Sequence, residues 1–243
     1  MSFADTRFVI IGAAGGIGSA VARRLAAHGA QLVLLGRTSS TLEPLASELY
    51  AVAHAIDASH LEEFDALLAT LGQIHGAVNC AGSILLKPAH LTTDAEWRQT
   101  LETNLTTAFA TVRAGAKAML STGGSIVLLA TAAARTGLPN HEAIAAAKGG
   151  VMGLTLAAAA SYAPRNIRVN CVAPGLVDTP LSSRITSNEA ARNASIAMHP
   201  LGRIGRPDDI ASAIVWLLDP ENSWVTGQVL GVDGGLGSVR GRA

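Results

Sequence analysis

The 243-residue sequence contains few cysteines, no block of like charge and no apolar run long enough to span a bilayer. Its two cysteines, Cys80 and Cys171, lie far apart in apolar surroundings and lack the spacing of a zinc site or a disulfide framework. We therefore expect two buried free thiols and no metal site.

Positive and negative charges balance, with 18 Lys and Arg residues against 18 Asp and Glu residues. Nucleic-acid-binding domains carry a basic patch, which this chain lacks. The longest apolar run, residues 149–163, is shorter than the roughly 20 residues that cross a bilayer, and the apolar start of the chain has no basic leader. We expect a cytoplasmic protein that acts on small molecules and has no nucleic-acid or membrane partner.

Short apolar runs alternate with segments whose apolar residues recur at helical spacing. The runs predicted to be strands are 7–11, 31–35, 50–56, 74–79, 125–130, 167–173 and 227–232. Their apolar character is continuous, which indicates a sheet covered on both faces. The sequence thus predicts one α/β domain, residues 1–243, with a doubly wound, mainly parallel seven-stranded sheet and helices on both faces.

One long segment, residues 176–209, departs from this alternation between the sixth and seventh strands. Connections of that length in compact domains commonly form lids or binding loops. We expect a substrate-loop insertion at about 181–206. A packed helical excursion is the alternative.

A glycine-rich turn follows the first predicted strand and opens a helix. Glycines let the backbone approach a pyrophosphate, and the amides at the helix N-terminus stabilise its charge. The strand, turn, helix and second strand occur in the order that a dinucleotide site requires. The residues predicted to form the phosphate site are Gly12, Ala14, Gly15, Gly16, Ile17 and Gly18.

The end of the second strand indicates which dinucleotide binds. An NAD site places a carboxylate there, about 20 residues beyond the glycines, to bind the ribose hydroxyls. This chain instead has Gly36 followed by Arg37 and Thr38. A guanidinium with a neighbouring hydroxyl can bind a 2′-phosphate, so NADP (NADPH) is favoured and NAD is the less favoured cofactor. The alternative is that Arg37 is only a solvated surface residue.

Several ordered motifs together resemble the short-chain dehydrogenase/reductase family. They are "GAAGGIG" at 12–18, "NCAG" at 79–82, "ETNLTTAF" at 102–109, "RVNCVAPGLVDTPL" at 168–181 and "VTGQVLGVDGGL" at 225–236. The resemblance covers essentially the whole chain. It implies a Rossmann-like fold, hydride transfer between a nicotinamide cofactor and a carbonyl or alcohol substrate, and a homotetramer or dimer.

The resemblance also implies cofactor contacts beyond the glycines. The implied positions are Asp57 and Ala58 beside the adenine, Asn79, Ala81 and Gly82 along its ribose, and Pro174, Gly175, Val177 and Thr179 around the nicotinamide carboxamide. Two of these assignments have a structural alternative. Asn79 could bridge strands, and the Pro-Gly pair could simply turn the chain.

Catalysis in the family uses an asparagine, a serine, a tyrosine and a lysine. Asn104 and Lys148 match the first and last, and Lys148 is also implied to bind the nicotinamide ribose. Thr131 lies at the serine spacing and keeps a hydroxyl donor. At the tyrosine position, one helical turn before the lysine, this chain has Ile144. The usual proton donor is therefore expected to be missing.

Three interpretations of Ile144 remain open. Another acid could replace the tyrosine, namely Thr131, a water near Lys148, or His141 about one turn away. The alternative for His141 is a histidine at a helix start or facing solvent. The chain could instead be an NADPH-binding subunit without turnover, assembled with an active paralogue. Thirdly, the substrate could carry its own acid. We expect His141 and Ile144 to contact a medium-sized, partly hydrophobic carbonyl substrate.

Overall fold

The structure is a computed structural model that describes residues 2–239. The seven strands are β1 (Arg7–Ile11), β2 (Gln31–Gly36), β3 (Val52–Ala55), β4 (Gly76–Asn79), β5 (Gly124–Leu129), β6 (Ile167–Pro174) and β7 (Val229–Val232). They form one sheet in the order β3-β2-β1-β4-β5-β6-β7, and every neighbouring pair is parallel. The predicted doubly wound, Rossmann-like sheet is confirmed, as are all seven strands.

The helices lie on both faces of this sheet. They are α1 (Gly16–Ala27), α2 (Ser39–Leu49), α3 (Leu61–Thr70), α4 (Asp94–Leu101), α5 (Thr107–Met119), α6 (Ala133–Thr136), α7 (Glu142–Tyr162), α8 (Ser183–Thr186), α9 (Glu189–Met198) and α10 (Pro207–Leu218). Helices α1 and α10 pack together on one face, whereas α5 contacts α3 and α7 on the other.

Each central strand contributes side chains to both layers of the core. In β1, Val9 and Ile11 belong to one buried cluster, and Phe8 and Ile10 belong to the other. Successive side chains of a strand point to opposite faces, so a sheet with helices on both sides needs apolar residues at every position. This explains why the runs read as continuous rather than alternating.

The two thiols differ from each other in exposure. Cys171 in β6 is fully buried, as predicted, but Cys80 is partly exposed, so the prediction was wrong for Cys80. Cys80 follows the last residue of β4, where the chain leaves the sheet. Both cysteines are free, and the described residues contain no cluster of metal-ligating side chains.

Helix α7 is longer than the apolar run that marks it in the sequence. Together with the short helical turn after it, at Glu142–Arg165, it is long and apolar enough by length and composition to cross a membrane. Among the described residues it is the one helix that meets this criterion. In this fold α7 packs against the sheet, with Lys148, Val151 and Thr155 buried.

The long segment between β6 and β7 forms helices rather than an irregular loop. A 3-10 turn at Pro180–Ser182 leads into α8 and α9, and α10 completes the segment. Thr179 accepts a hydrogen bond from the backbone of Ser182, and Asn188 accepts one from Ala191 at the start of α9. The segment is therefore helical, but α8 buries no residue and α9 buries only Ser195, so its role as a substrate loop stays a prediction. Whether this segment moves as a lid stays a prediction.

Candidate functional site

A groove of about 300 Å³ runs along the carboxyl ends of β1, β2 and β4. Predicted cofactor-binding residues that line it are Gly12, Ala14, Gly15, Gly16, Ile17, Gly18, Arg37, Thr38, Asp57, Ala58, Ala81, Gly82 and Thr179. In parallel α/β sheets this edge is where ligands bind, next to a reversal of strand order. Here the order reverses between β1 and β4.

Two glycines of the turn after β1 are required by the packing of the chain itself. Gly12 has a φ of 73°, and a Cβ there would lie 2.7 Å from the amide nitrogen of Ala81. A Cβ on Gly18 would collide with the carbonyl oxygen of Gly12. Larger residues would therefore displace the turn from β4 before any ligand is considered.

The first turn of α1 faces the groove without a side-chain cap. Gly15 occupies the N-cap position, no side chain accepts a hydrogen bond from the first amides, and the first turn has no acidic residue. The amides of Gly16, Ile17 and Gly18 consequently keep their positive partial charge for an anion. This arrangement suits a phosphate group.

Arg37 and Asp57 both line the outer part of the groove. Arg37 and Thr38 are exposed at the end of β2. Desolvation raises the pKa of Asp57, but hydrogen bonds from the Ser59 amide (2.9 Å) and hydroxyl (2.7 Å), with smaller charge effects of His60 and then Arg37, outweigh it, so the pKa is lowered. Asp57 is thus a carboxylate that is held in place by its own loop.

Asn79, which is predicted to contact the adenine ribose, forms hydrogen bonds within the protein. It is buried, and its amide nitrogen donates to Thr111 Oγ1 (3.0 Å) while its Oδ1 accepts from the amide of Ala81 (2.9 Å). It does not line the groove. Asn79 thus bridges β4 to α5, rather than two strands, and holds the loop after β4. Its contact with the adenine ribose stays a prediction.

A second cavity of about 270 Å³ adjoins the groove. Residues that line both are Ile17, Cys80, Ala81, Gly82, Thr179 and Leu181. The second cavity also receives Pro174, Gly175, Val177, Asn104, Thr131, His141, Ile144 and Lys148. The predicted catalytic and nicotinamide positions extend along the sequence from residue 104 to residue 179, and the fold brings them together around this cavity.

Asn104 lies in a π-helical turn, Glu102–Thr106, that joins α4 to α5. Such turns insert an extra residue into a helix and often occur at functional sites. The Asn104 amide nitrogen donates to Ser83 Oγ and to the Thr100 carbonyl (both 2.9 Å), and its Oδ1 accepts from the Ser83 amide (3.1 Å). These bonds hold the loop after β4 against the helix.

Lys148 is buried, and its Nζ donates to the Leu129 carbonyl oxygen at 2.8 Å. Burial lowers its pKa to about 8, although the thiols of Cys171 and Cys80 oppose this shift. A Cβ on Gly82 would lie 3.6 Å from this Nζ and 3.1 Å from Asn104 Oδ1, so Gly82 leaves room beside both groups. Two of the three ammonium N–H groups remain for a ligand.

The remaining candidates surround the same cavity. Thr131 Oγ1 accepts from the amide of Ala133 at 3.3 Å, which leaves its hydroxyl proton free to donate. Ile144 is buried on α7, one turn before Lys148. The cavity thus has a hydrocarbon side chain one turn from its lysine.

His141 immediately precedes α7, and its Nδ1 lies 2.8 Å from the carbonyl oxygen of Pro139. A carbonyl only accepts, so Nδ1 must carry the proton and Nε2 of the neutral ring is an acceptor. His141 therefore donates from Nε2 only as the imidazolium. As the neutral ring it can serve as a base.

His199 lies within the predicted substrate-loop insertion and also lines the cavity, although sequence reasoning gave it no role of its own. It is buried, with Nδ1 donating to the Ser195 carbonyl (2.6 Å) and Nε2 accepting from the Leu176 amide (3.2 Å). Both nitrogens are occupied, so His199 ties α9 to the end of β6. A Cβ on Gly175 would lie 2.5 Å from His199 Nε2, which explains that glycine. No sequence motif marks this pair.

Comparison with known proteins agrees with this geometry. A family model described as enoyl-(acyl carrier protein) reductase matches residues 12–237. Galactitol 2-dehydrogenase (L-tagatose-forming) of Cereibacter sphaeroides is 36% identical over 237 residues, which are 93% of this chain and 92% of that protein.

Solved structures agree as well. A short-chain type dehydrogenase/reductase from Mycobacterium ulcerans superimposes with a TM-score of 0.94 at 30% identity, covering 99% of this chain and 93% of that one. A candidate NAD(P)-dependent gluconate 5-dehydrogenase from Beutenbergia cavernae, with NADP bound at low occupancy, has a TM-score of 0.92 at 34% identity and coverages of 97% and 98%. The chain belongs to the short-chain dehydrogenase/reductase family.

Proposed function

We propose that this protein is an NADP-dependent oxidoreductase that transfers hydride between the nicotinamide and a carbonyl or alcohol substrate. The observation that carries the proposal is the shared wall between two cavities. One contains the uncapped N-terminus of α1, and the other contains Asn104, Thr131 and Lys148. A dinucleotide would fit with its phosphates at the first and its reactive end at the second.

The residues present fit such a cofactor. The amides of Gly16, Ile17 and Gly18 would hold the pyrophosphate, Arg37 and Thr38 the 2′-phosphate, and Lys148 the nicotinamide ribose. When bound, the cofactor supplies or accepts the hydride. Pro174 to Thr179 would hold its carboxamide end in the second cavity.

The choice of NADP depends on Arg37. The end of β2 has no carboxylate, and the Beutenbergia cavernae relative was crystallised with NADP. Charge-assisted hydrogen bonds are worth about 1.5–3 kcal/mol, so Arg37→Ala should weaken NADPH binding by about 10- to 100-fold and change NADH binding little. Arg192→Ala, at an exposed position outside the groove, is the control. Equal losses for both coenzymes in a fluorescence titration would contradict the 2′-phosphate role.

The protein groups have separate tasks in the second cavity. We propose that Asn104 fixes the cavity wall, that the Thr131 hydroxyl hydrogen-bonds the substrate oxygen, and that His141 receives or returns the proton. Ile144, at the position of the family's tyrosine, gives an apolar surface instead of a donor. A positioned general acid contributes about 10²- to 10⁴-fold, so turnover that lacks one should be slow.

Ile144→Tyr tests this assignment. NADPH oxidation is followed over a panel of carbonyl compounds for the wild type, Ile144→Tyr and His141→Ala. Wild-type turnover that His141→Ala abolishes without loss of NADPH affinity would support the replacement acid. NADPH binding without wild-type turnover, restored by the tyrosine, would instead indicate a non-catalytic subunit. No relative named above is described as one, so we favour the enzyme.

We also propose that the protein is a homo-oligomer, a tetramer or dimer. Phe109 on α5 and Leu156 on α7 are large apolar side chains that are about half exposed. A second copy would cover them at low cost because apolar burial favours association. Light scattering after gel filtration measures the mass. Phe109→Glu should shift it toward the monomer, and a monomeric wild type would contradict the proposal.

A further inference from the structure

The mouth of the second cavity has a rim of exposed apolar side chains. These are Ile84 and Leu86 from the loop after β4, Leu181 before α8, and Met198 at the end of α9, each 40–54% exposed. They come from three separate segments of the chain. Large apolar residues gathered at one exposed place mark a surface that binds a ligand.

The wall beyond the rim is also apolar. Leu138, Ile144, Ile185 and Leu236 line the part of the cavity that the cofactor groove does not share. A tyrosine hydroxyl at position 144 would have given this wall a polar group. With Ile144 this part of the wall presents hydrocarbon, which favours an apolar molecule.

Most polar side chains of the cavity are already hydrogen-bonded within the protein. Ser195 Oγ donates to Ala191, His199 uses both ring nitrogens, and Ser182 Oγ bonds carbonyls of its own turn. Groups left for a ligand are the hydroxyl protons of Ser83 and Thr131, His141 Nε2 and the free N–H groups of Lys148. The Thr131 hydroxyl can donate to a ketone or alcohol oxygen, neutral His141 Nε2 can accept from an alcohol hydroxyl, and Lys148 is assigned to the cofactor.

The described residues that line this cavity include no arginine and no carboxylate. The nearest cation along the rim loop, Lys87, donates to the carboxylate of Glu96 at 2.8 Å and does not line the cavity. With Lys148 engaged by the cofactor, a carboxylate on a substrate would lose water and gain no cationic partner in this cavity. That loss is costly in an apolar site.

We propose that the substrate is an uncharged, largely apolar ketone or secondary alcohol, and that the rim excludes molecules bearing a carboxylate or phosphate on the same frame. This inference rests on the proposed oxidoreductase function in one respect, namely that the bound oxygen belongs to the ketone or alcohol group that reacts. The size and composition of the cavity support it independently, since they concern binding alone.

Matched probes test the proposal. We choose 4-methylcyclohexanone and 4-oxocyclohexane-1-carboxylate, which differ chiefly in one charge, and measure their dissociation constants by calorimetry in the presence of saturating NADP⁺, which engages Lys148 and reduces neither ketone. The ketone is expected to bind about 100-fold more tightly, because the carboxylate is desolvated without a partner. Comparable affinities, or no ketone binding at millimolar concentration, would overturn the proposal.

Variants of the rim provide a second measurement. Met198→Arg places a cation at the mouth and should reduce the 100-fold preference to about tenfold or less by tightening carboxylate binding. Leu120→Arg, at a position of similar exposure at the end of α5 and away from the cavity, should leave the preference unchanged. If both variants change it equally, general charge rather than the rim sets specificity and the inference is wrong.

Turnover is measured separately from binding. If the ketone binds with the expected preference and NADPH is not oxidised, the proposed function fails and the ligand class stands. If NADPH is oxidised with the carboxylate as readily as with the ketone, the proposed function stands and the ligand class fails.

Discussion

Lys148 carries a charge at a cost to folding, and Lys148→Met should therefore stabilise the protein at neutral pH. Burial lowers its pKa to about 8 from 10.5. Each pKa unit corresponds to about 1.36 kcal/mol. The folded protein is therefore destabilised by about 3 kcal/mol at any pH where Lys148 is protonated in both the folded and the unfolded chain. Methionine removes this cost but leaves the Leu129 carbonyl without its donor, a loss of about 1–2 kcal/mol. The net gain at pH 7 should be about 1–2 kcal/mol.

The pH dependence distinguishes this explanation from simple repacking. The unfolded chain binds the proton more tightly than the folded one, so the cost is absent above pH 10.5, grows as the pH falls, and is complete below about pH 8. At pH 9.5 about 1.4 kcal/mol of the cost remains, and the advantage of the variant should fall to about zero.

Guanidinium unfolding at pH 7 and pH 9.5 measures both differences, and Lys117→Met, at an exposed position on α5, is the control without pH dependence. A Lys148→Met protein that is less stable at pH 7, by an amount that does not change with pH, would refute the reasoning. The same variant should lose turnover under the proposed function.

Three further predictions concern the scaffold. Gly18→Ala should abolish nucleotide binding and lower the melting temperature, because the added Cβ would collide with the carbonyl oxygen of Gly12. Gly153→Ala should instead raise helix stability by about 0.5–1 kcal/mol, because no atom outside its own stretch of helix lies within 4 Å of the Cβ it adds. The hydrogen bond from Arg203 holds the pKa of Asp209 at about 2, so Asp209→Asn should destabilise at pH 6 and cease to matter as the pH falls from about 4 to about 2. Thr93→Ala should cost about 1 kcal/mol in urea unfolding through loss of the α4 cap, and no change would contradict the capping role.

The strands could be predicted because burial on two faces leaves a mark in local composition. Apolar runs such as 7–11 and 167–173 correspond to β1 and β6 within a residue. The ends of β3 were predicted less accurately, at 50–56 instead of Val52–Ala55. This edge strand is partly exposed, and the apolar residues that flank it form no strand pairs with β2. The exposure of Cys80 depends on where the loop after β4 opens, which no local pattern records.

The candidate site was predictable where spacing along one element fixes the geometry. Ile144 and Lys148 share a face of α7 because they are one turn apart, and the glycines of the turn after β1 precede a helix. Contacts between distant segments were not predictable. His199 with Gly175, and Asn79 with Thr111, depend on how α9 and α5 pack against the strands. Location in the cytoplasm stays a prediction.

The sequence by itself determined the order of strands and helices, the uncapped glycine turn, the cation at Arg37, and the hydrocarbon one turn before Lys148. These features are local, so they depend only on periodicity, residue type and spacing. Tertiary structure alone decided that the groove and the second cavity share a wall, that burial depresses the Lys148 pKa, and that four exposed apolar side chains meet at one rim. Such properties arise when residues far apart in the chain exclude water from the same space, and no single stretch of sequence contains that information.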